Sequence, residues 1–206
     1  MSLIRKIYYK IVGGRTSTPS NSIIKDWEEA GKRVPPPHLI KQLAISNLNE
    51  QLNYNLFIET GTFYGDMVEA QKTKFSQIFS IELGEQLFLN ATTRFKHDKN
   101  VTILQGDSGD VLIELCAKID EPAIFWLDGH YSEGITAKGN KICPIYEELS
   151  AIFNSKYLAH ILLIDDARLF VGENDYPTIS EVSEFIKKHK PEAKINCEND
   201  IIYVFI

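Results

Sequence analysis

Leu56-Phe57-Ile58-Glu59-Thr60-Gly61-Thr62-Phe63-Tyr64-Gly65 runs from a short apolar stretch into a glycine turn. Residues 56–59 predict a strand, the two glycines a turn, and residues 66–74 a helix. The same unit recurs downstream. Residues 78–82, 101–104, 123–128 and 160–166 are further apolar runs. Helical stretches are expected at 85–95, 107–118, 144–154 and 178–189. The runs lack a clean period of two, as in strands buried on both faces. Alternating strands and helices predict an α/β, doubly wound, mostly parallel sheet. Two last runs, 193–196 and 201–206, make seven strands in all. Only Cys197, Glu198, Asn199 and Asp200 separate them. No crossover helix fits in four residues, so they form a hairpin and one of them is antiparallel.

Upstream of residue 55 the chain reads differently. Residues 13–21 are rich in Gly, Ser, Thr and Pro, and Pro35, Pro36 and Pro37 end any helix over 22–30. A second helix fits 38–50, with Leu39, Leu43 and Leu48 on one side. The expected division is an appendage over 1–54 and a main domain over 55–206. Charge is unevenly placed between them. The chain of 206 residues has a net charge of −6, yet residues 1–50 carry eight Lys and Arg against four Asp and Glu. The acidic body that remains argues against duplex nucleic acid or anionic lipid as the principal partner. Asn-Pro-Pro-Tyr and Asp-Pro-Pro-Tyr, which would mark methylation of base amino groups, are absent from the sequence. Three cysteines, Cys116, Cys143 and Cys197, show no metal-finger spacing and read as reduced. The apolar start is too short and interrupted for a signal peptide or a span, so the expectation is a cytoplasmic protein.

In an open α/β sheet, ligands bind beyond the carboxyl ends of the strands. Gly61 permits a tight turn and close approach by a ligand, and Gly65 lets the next helix start near the strand. Phe63 stands where a dinucleotide loop needs its middle glycine, and no Gly-Lys-Ser/Thr follows. Nicotinamide and nucleoside triphosphate both lose ground. Glu82, ending the second strand, can take both ribose hydroxyls of a nucleoside. Asp107 can accept from an adenine amino group or cap the following helix, and Ser108 can also cap it. These acids around a glycine turn describe an adenosine pocket without phosphate.

Glu59, Gly61, Gly65, Glu82, the Gly-Asp-Ser at 106–108 and the terminal hairpin resemble class I S-adenosylmethionine-dependent methyltransferases. The resemblance covers about residues 55–206. It implies a Rossmann-like methyltransferase fold whose last strand is antiparallel and inserted beside the fifth. It also implies S-adenosylmethionine held by Glu59, Gly61, Thr62, Tyr64, Gly65, Glu82, Asp107, Ser108 and Asp128.

Asp128 ends the fourth strand, and Asp165 and Asp166 end the fifth. Neighbouring strands would bring the three carboxylates together, an arrangement that calls for a counter-charge. A hard divalent cation would supply it, Mg²⁺ first and Mn²⁺ or Ca²⁺ next. Alternatively, one aspartate caps a helix and another pairs with Arg168. The triad looks like the metal site of macrocin-type cation-dependent O-methyltransferases, which implies a small hydroxylated acceptor. Catechol-type relatives carry a lysine soon after the first metal aspartate. Here His130 and Tyr131 occupy that region and Lys138 follows only later. His130 is the candidate base or orienting residue, with Asp128 as the other. Residues 131–143 read as a substrate loop or lid. Trp126 reads as core. The helices around 22–50 either cover the cofactor or build a homodimer contact. Two other readings remain: metal-dependent group transfer or hydrolysis on another nucleoside-containing ligand, and a degenerate domain that only binds.

Overall fold

Five apolar runs become parallel strands because the chain returns to the same sheet edge after each helix. The computed structural model describes residues 20–129, 143–157 and 159–206. The chain divides into two units, residues 1–53 and 54–206. In the first, α1 (Ser20–Glu29) and α2 (His38–Leu52) are helical. The Trp27 indole N–H donates to the Arg33 carbonyl at 2.8 Å, closing the turn after α1. The buried side of α2 carries Ile40, Ala44, Ile45 and Leu48. Of the expected Leu39, Leu43 and Leu48, only Leu48 is buried. The fourfold spacing 40–44–48 sets the helix phase and turns Leu39 and Leu43 partly outward.

The second unit contains β1 (Leu56–Thr60), α3 (Asp66–Gln71), β2 (Gln77–Glu82), α4 (Glu85–Arg94), β3 (Val101–Gln105) and α5 (Ser108–Lys118). Then follow β4 (Ala123–Leu127), α6 (Ile145–Phe153), β5 (Ile161–Ile164), a 3₁₀ turn (Ala167–Leu169), α7 (Ile179–His189), β6 (Lys194–Glu198) and β7 (Ile201–Phe205). The strands form one seven-stranded sheet in the order β3-β2-β1-β4-β5-β7-β6. β1 to β5 are parallel, and β7 is antiparallel to both β5 and β6. The hairpin turn is Asn199-Asp200, with φ of 52° and 66°. Two left-handed residues match the twist of a two-residue hairpin, and Asn and Asp tolerate that region. No helix among the described residues is long and apolar enough to cross a membrane.

Burial on both faces holds for β1, β4 and β5, whose every residue is buried. It fails for β3 and β6, which are the two edges and only partly covered. Trp126 is core, as expected. Two elements stop at least two residues earlier than the sequence suggests. α3 ends at Gln71 because the Asn100 side chain donates to the carbonyls of Lys72 and Phe75, at 2.7 and 3.0 Å. β5 ends at Ile164 because Asp166 turns left-handed at φ 54°. That early end matters, since it sends Asp165 and Asp166 out of the sheet at its carboxyl edge.

Candidate functional site

Register decides which side chains meet. Thr60 pairs with Ile81 on one side and Leu127 on the other, Glu82 pairs with Gln105, and Leu127 pairs with Ile164. The residues at or just beyond these pairs therefore line one edge in the order Asp107, Glu82, Gly61, Asp128, Asp165. Strand ends that are far apart in sequence become neighbours.

The glycine loop is held from below. Glu59 is fully enclosed, and the Ser80 hydroxyl donates to its carboxyl. Ser80 also bonds the Thr62 hydroxyl at 2.6 Å, so a buried chain Glu59–Ser80–Thr62 ties β1 and β2 to the loop. Burial pushes the Glu59 carboxyl well above its ordinary pKa. The Ser80 bond opposes that, and the charges of Asp128 and Glu82 add to it. Glu59 thus stands beneath the loop as its support. Gly61 sits at φ 80°, and a Cβ there would lie 2.2 Å from the Asp128 carbonyl oxygen. The chain's own β4 loop thus comes as close to Gly61 as an absent side chain allows. Phe63 occupies the left-handed region at φ 50° in place of a glycine. Its N–H donates to Glu82 Oε2 at 2.7 Å, and the Gly84 N–H donates to Glu82 Oε1 at 2.8 Å. Glu82 therefore fastens both loops that flank it. A carboxylate has about four acceptor positions, so each oxygen keeps one for a further donor. Tyr64 is exposed, its ring 4.1 Å from that of Phe63, and Gly65 is the left-handed residue before α3.

Asp107 is the cap of α5: its Oδ1 accepts from the Gly109 N–H at 3.0 Å. Ser108, the other candidate cap, is instead the first residue of that helix. Its hydroxyl donates to Glu148 Oε1 at 2.6 Å. Asp107 already satisfies the free amide, which releases Ser108 for this contact. Glu148 on α6 is 2 % exposed and close to Gly129, where a Cβ would fall 2.6 Å from Glu148 Oε1. Sequence reasoning missed Glu148. Its signal was an acid on the apolar side of α6, beside Ile145, Leu149 and Ile152.

One oxygen each of Asp128, Asp165 and Asp166 lies within 4.8 Å of the others. The Asp128 N–H is anchored on Thr60, by the hydroxyl at 3.1 Å and the carbonyl at 3.2 Å. The Asp165 N–H donates to the Leu127 carbonyl at 3.0 Å, and Asp165 Oδ1 accepts from the Asp166 N–H at 2.6 Å. Arg168 pairs with Asp166 at 2.6 Å, in line with the alternative reading, and also with Asp200. Among the described residues, that one guanidinium is shared between two acids. An all-oxygen set of three carboxylates suits a hard divalent cation. Tyr176 stands near this cluster: burial raises its phenol well above the usual value, and Cys143, Asp166 and Asp128 contribute in that order. It is a neutral hydroxyl that the sequence did not single out. Burial likewise pushes the Cys143 thiol up to about 12, so it is a poor nucleophile. His130, Tyr131, Lys138 and the loop through residue 142 lie outside the described residues.

No family model matches the chain, and no curated protein matches it in sequence. Solved structures do. The O-methyltransferase TomG from Streptomyces achromogenes, in complex with SAM, is 15% identical with a TM-score of 0.58, covering 99% of this chain and 98% of that one. An O-methyltransferase from Bacillus cereus in complex with SAH is 12% identical with a TM-score of 0.59, over 97% and 96%. The SAH-bound methyltransferase PaMTH1 of Podospora anserina is 12% identical with a TM-score of 0.58, over 98% and 94%. At these identities the likeness establishes the architecture: a Rossmann-like methyltransferase fold with an antiparallel last strand.

Proposed function

We propose that the chain is an S-adenosylmethionine-dependent methyltransferase that methylates a hydroxyl of a small molecule with help from a divalent cation. The observation that carries this reading is the convergence of Asp128, Asp165 and Asp166 on the same sheet edge as the Gly61 loop and Glu82. The solved structures similar to this chain include two O-methyltransferases with SAM or SAH bound, which supports it.

When bound, the sulfonium cofactor supplies an electrophilic methyl group, and the cation supplies Lewis acidity toward an acceptor hydroxyl. The remaining work falls to the chain. Glu82 would accept from the ribose hydroxyls with the positions its two amide bonds leave open. Asp107 would accept from the adenine amino group while its Oδ1 caps α5. The Gly61 loop, propped by Thr62, Ser80 and Glu59, would help hold the cofactor. Asp128, Asp165 and Asp166 would hold the cation, and His130, or Asp128 where the cation does not fully engage it, would take the acceptor's proton. Orientation of donor and acceptor supplies most of the rate, because the methyl sulfonium is already activated.

Calorimetric titration with S-adenosylhomocysteine is expected to show saturable one-to-one binding; a folded protein that binds none overturns the cofactor assignment. Transfer of labelled methyl from S-adenosylmethionine to a panel of sugar, phenol and polyketide hydroxyls is expected to require Mg²⁺. Equal turnover in Mg²⁺ and in chelator overturns the cation's part.

A further inference from the structure

Aspartate is a favoured helix-capping residue, and Asp166 occupies the capping position of the 3₁₀ turn Ala167–Leu169. A capping Asp166 would fold its carboxylate back onto the amides of that turn and away from Asp128 and Asp165. It makes no such bond. The cap comes from the other side of the sheet edge, from the β6–β7 hairpin. Asp200 Oδ1 accepts from the Arg168 N–H at 2.8 Å, and the Asp200 carbonyl accepts from the Ala167 N–H at 2.9 Å. Asp200 Oδ2 meanwhile accepts from the Arg168 guanidinium, through the same Nη1 that bonds Asp166 Oδ1 at 2.6 Å. The Asp200 carboxylate is almost wholly buried.

The geometry points to Asp200 as the positioning residue that sets the cation affinity of the triad. It does so in two ways. It caps the turn in place of Asp166, which leaves the Asp166 carboxylate with Asp128 and Asp165. It also draws on the charge of Arg168, which would otherwise compete with a metal ion for Asp166. This rests on the reading that Asp128, Asp165 and Asp166 bind a divalent cation. Asp200 reaches Asp166 through Arg168, and outer-shell partners of ligands commonly change metal affinity by about 10–100-fold.

Titration of the full chain with Mn²⁺ alone, followed calorimetrically, tests it. Asp200→Asn keeps an oxygen for the Arg168 amide but loses the charge that holds the guanidinium. It is expected to bind Mn²⁺ about tenfold more weakly than the parent. Arg168→Gln combined with Asp200→Asn removes the competitor, and is expected to restore affinity to within about threefold of the parent. Binding of S-adenosylhomocysteine is expected to stay within about twofold in both variants, since Glu82 and Asp107 are untouched. Equal Mn²⁺ affinity in the parent and Asp200→Asn overturns the inference, as does a double variant no tighter than Asp200→Asn. Should Asp200→Asn fail to fold, Arg168→Gln alone carries the test: Mn²⁺ binding weaker than the parent's overturns it. A parent protein that binds S-adenosylhomocysteine but no Mn²⁺ overturns the cation reading itself, and this inference with it. Failure at Asp200→Asn alone leaves that reading standing.

Discussion

Gly61→Ala is expected to lower the melting temperature by roughly 6–12 °C, a loss of about 3 kcal/mol at about 2–4 °C per kcal/mol for a chain of this size. Two costs combine. At φ 80° an alanine enters the left-handed region, at about 1–2 kcal/mol. Its Cβ would also lie 2.2 Å from the Asp128 carbonyl oxygen and 2.9 Å from the carbonyl carbon. Those are backbone atoms pinned by Thr60, so relief requires β1 and β4 to part, and overpacking of this kind costs about 1–3 kcal/mol. Gly31→Ala separates the two costs, because Gly31 has φ 81° and no atom within 4 Å of the point its new methyl would occupy. It bears only the backbone term. Thermal unfolding of both variants decides the matter: a Gly61→Ala loss no greater than that of Gly31→Ala would show that the β1–β4 contact tolerates the methyl.

His160 is expected to make the fold acid-labile. It is fully buried just before β5, with its ring edge-on to Phe125. The Ala123 N–H must be the donor in its 3.1 Å contact with His160 Nδ1, so the ring proton resides on Nε2, facing the Ser155 hydroxyl at 2.9 Å. Protonating Nδ1 breaks the first bond and places a charge in the core. Burial, aided by the Lys190 charge, lowers the His160 pKa to about 4 from 6.5. The sign follows from proton binding. Between those two values the unfolded chain holds a proton on His160 that the folded chain does not, so stability rises with pH. The contribution is complete above pH 6.5 and is lost as the pH falls toward 4. On this basis the loss by pH 4.5 is about 2–3 kcal/mol. Urea unfolding at pH 7.5 and 4.5 measures it against His160→Asn, which does not titrate. The stability gap between parent and variant should narrow by that amount at the lower pH. An unchanged gap would assign the acid lability to other groups.

The strands and the site were legible to different depths, for physical reasons. β1, β4 and β5 announce themselves as short apolar runs followed by turn residues, and the hairpin follows from the lack of room for a crossover. Asp128, Asp165 and Asp166 were legible because acids directly after central strands have only one edge to face. What escaped was set by packing between distant elements. Helical phase separates Glu148 from Glu147, but its partner, the Ser108 hydroxyl, comes only from the seating of α5 against α6. Asp107 and Ser108 are both capping residue types in adjacent positions, so the choice between them lies in three dimensions. Asp200 read as a mere spacer in a hairpin, and its bonds to Ala167 and Arg168 span more than thirty residues of sequence.

The position of β7 between β5 and β6 has a consequence for how the chain is made. During synthesis, β5 emerges with no partner on one side, and its neighbour there is encoded only from Ile201 onward. At about 5–20 residues per second, that intervening stretch takes roughly 2–8 s to translate. For those seconds the backbone amides and carbonyls of Ile161–Ile164 form an open edge between wholly apolar side chains. The nascent chain is most exposed to mispairing at the moment when Asp165 and Asp166, two of the three acids that later converge at the sheet edge, have just left the ribosome.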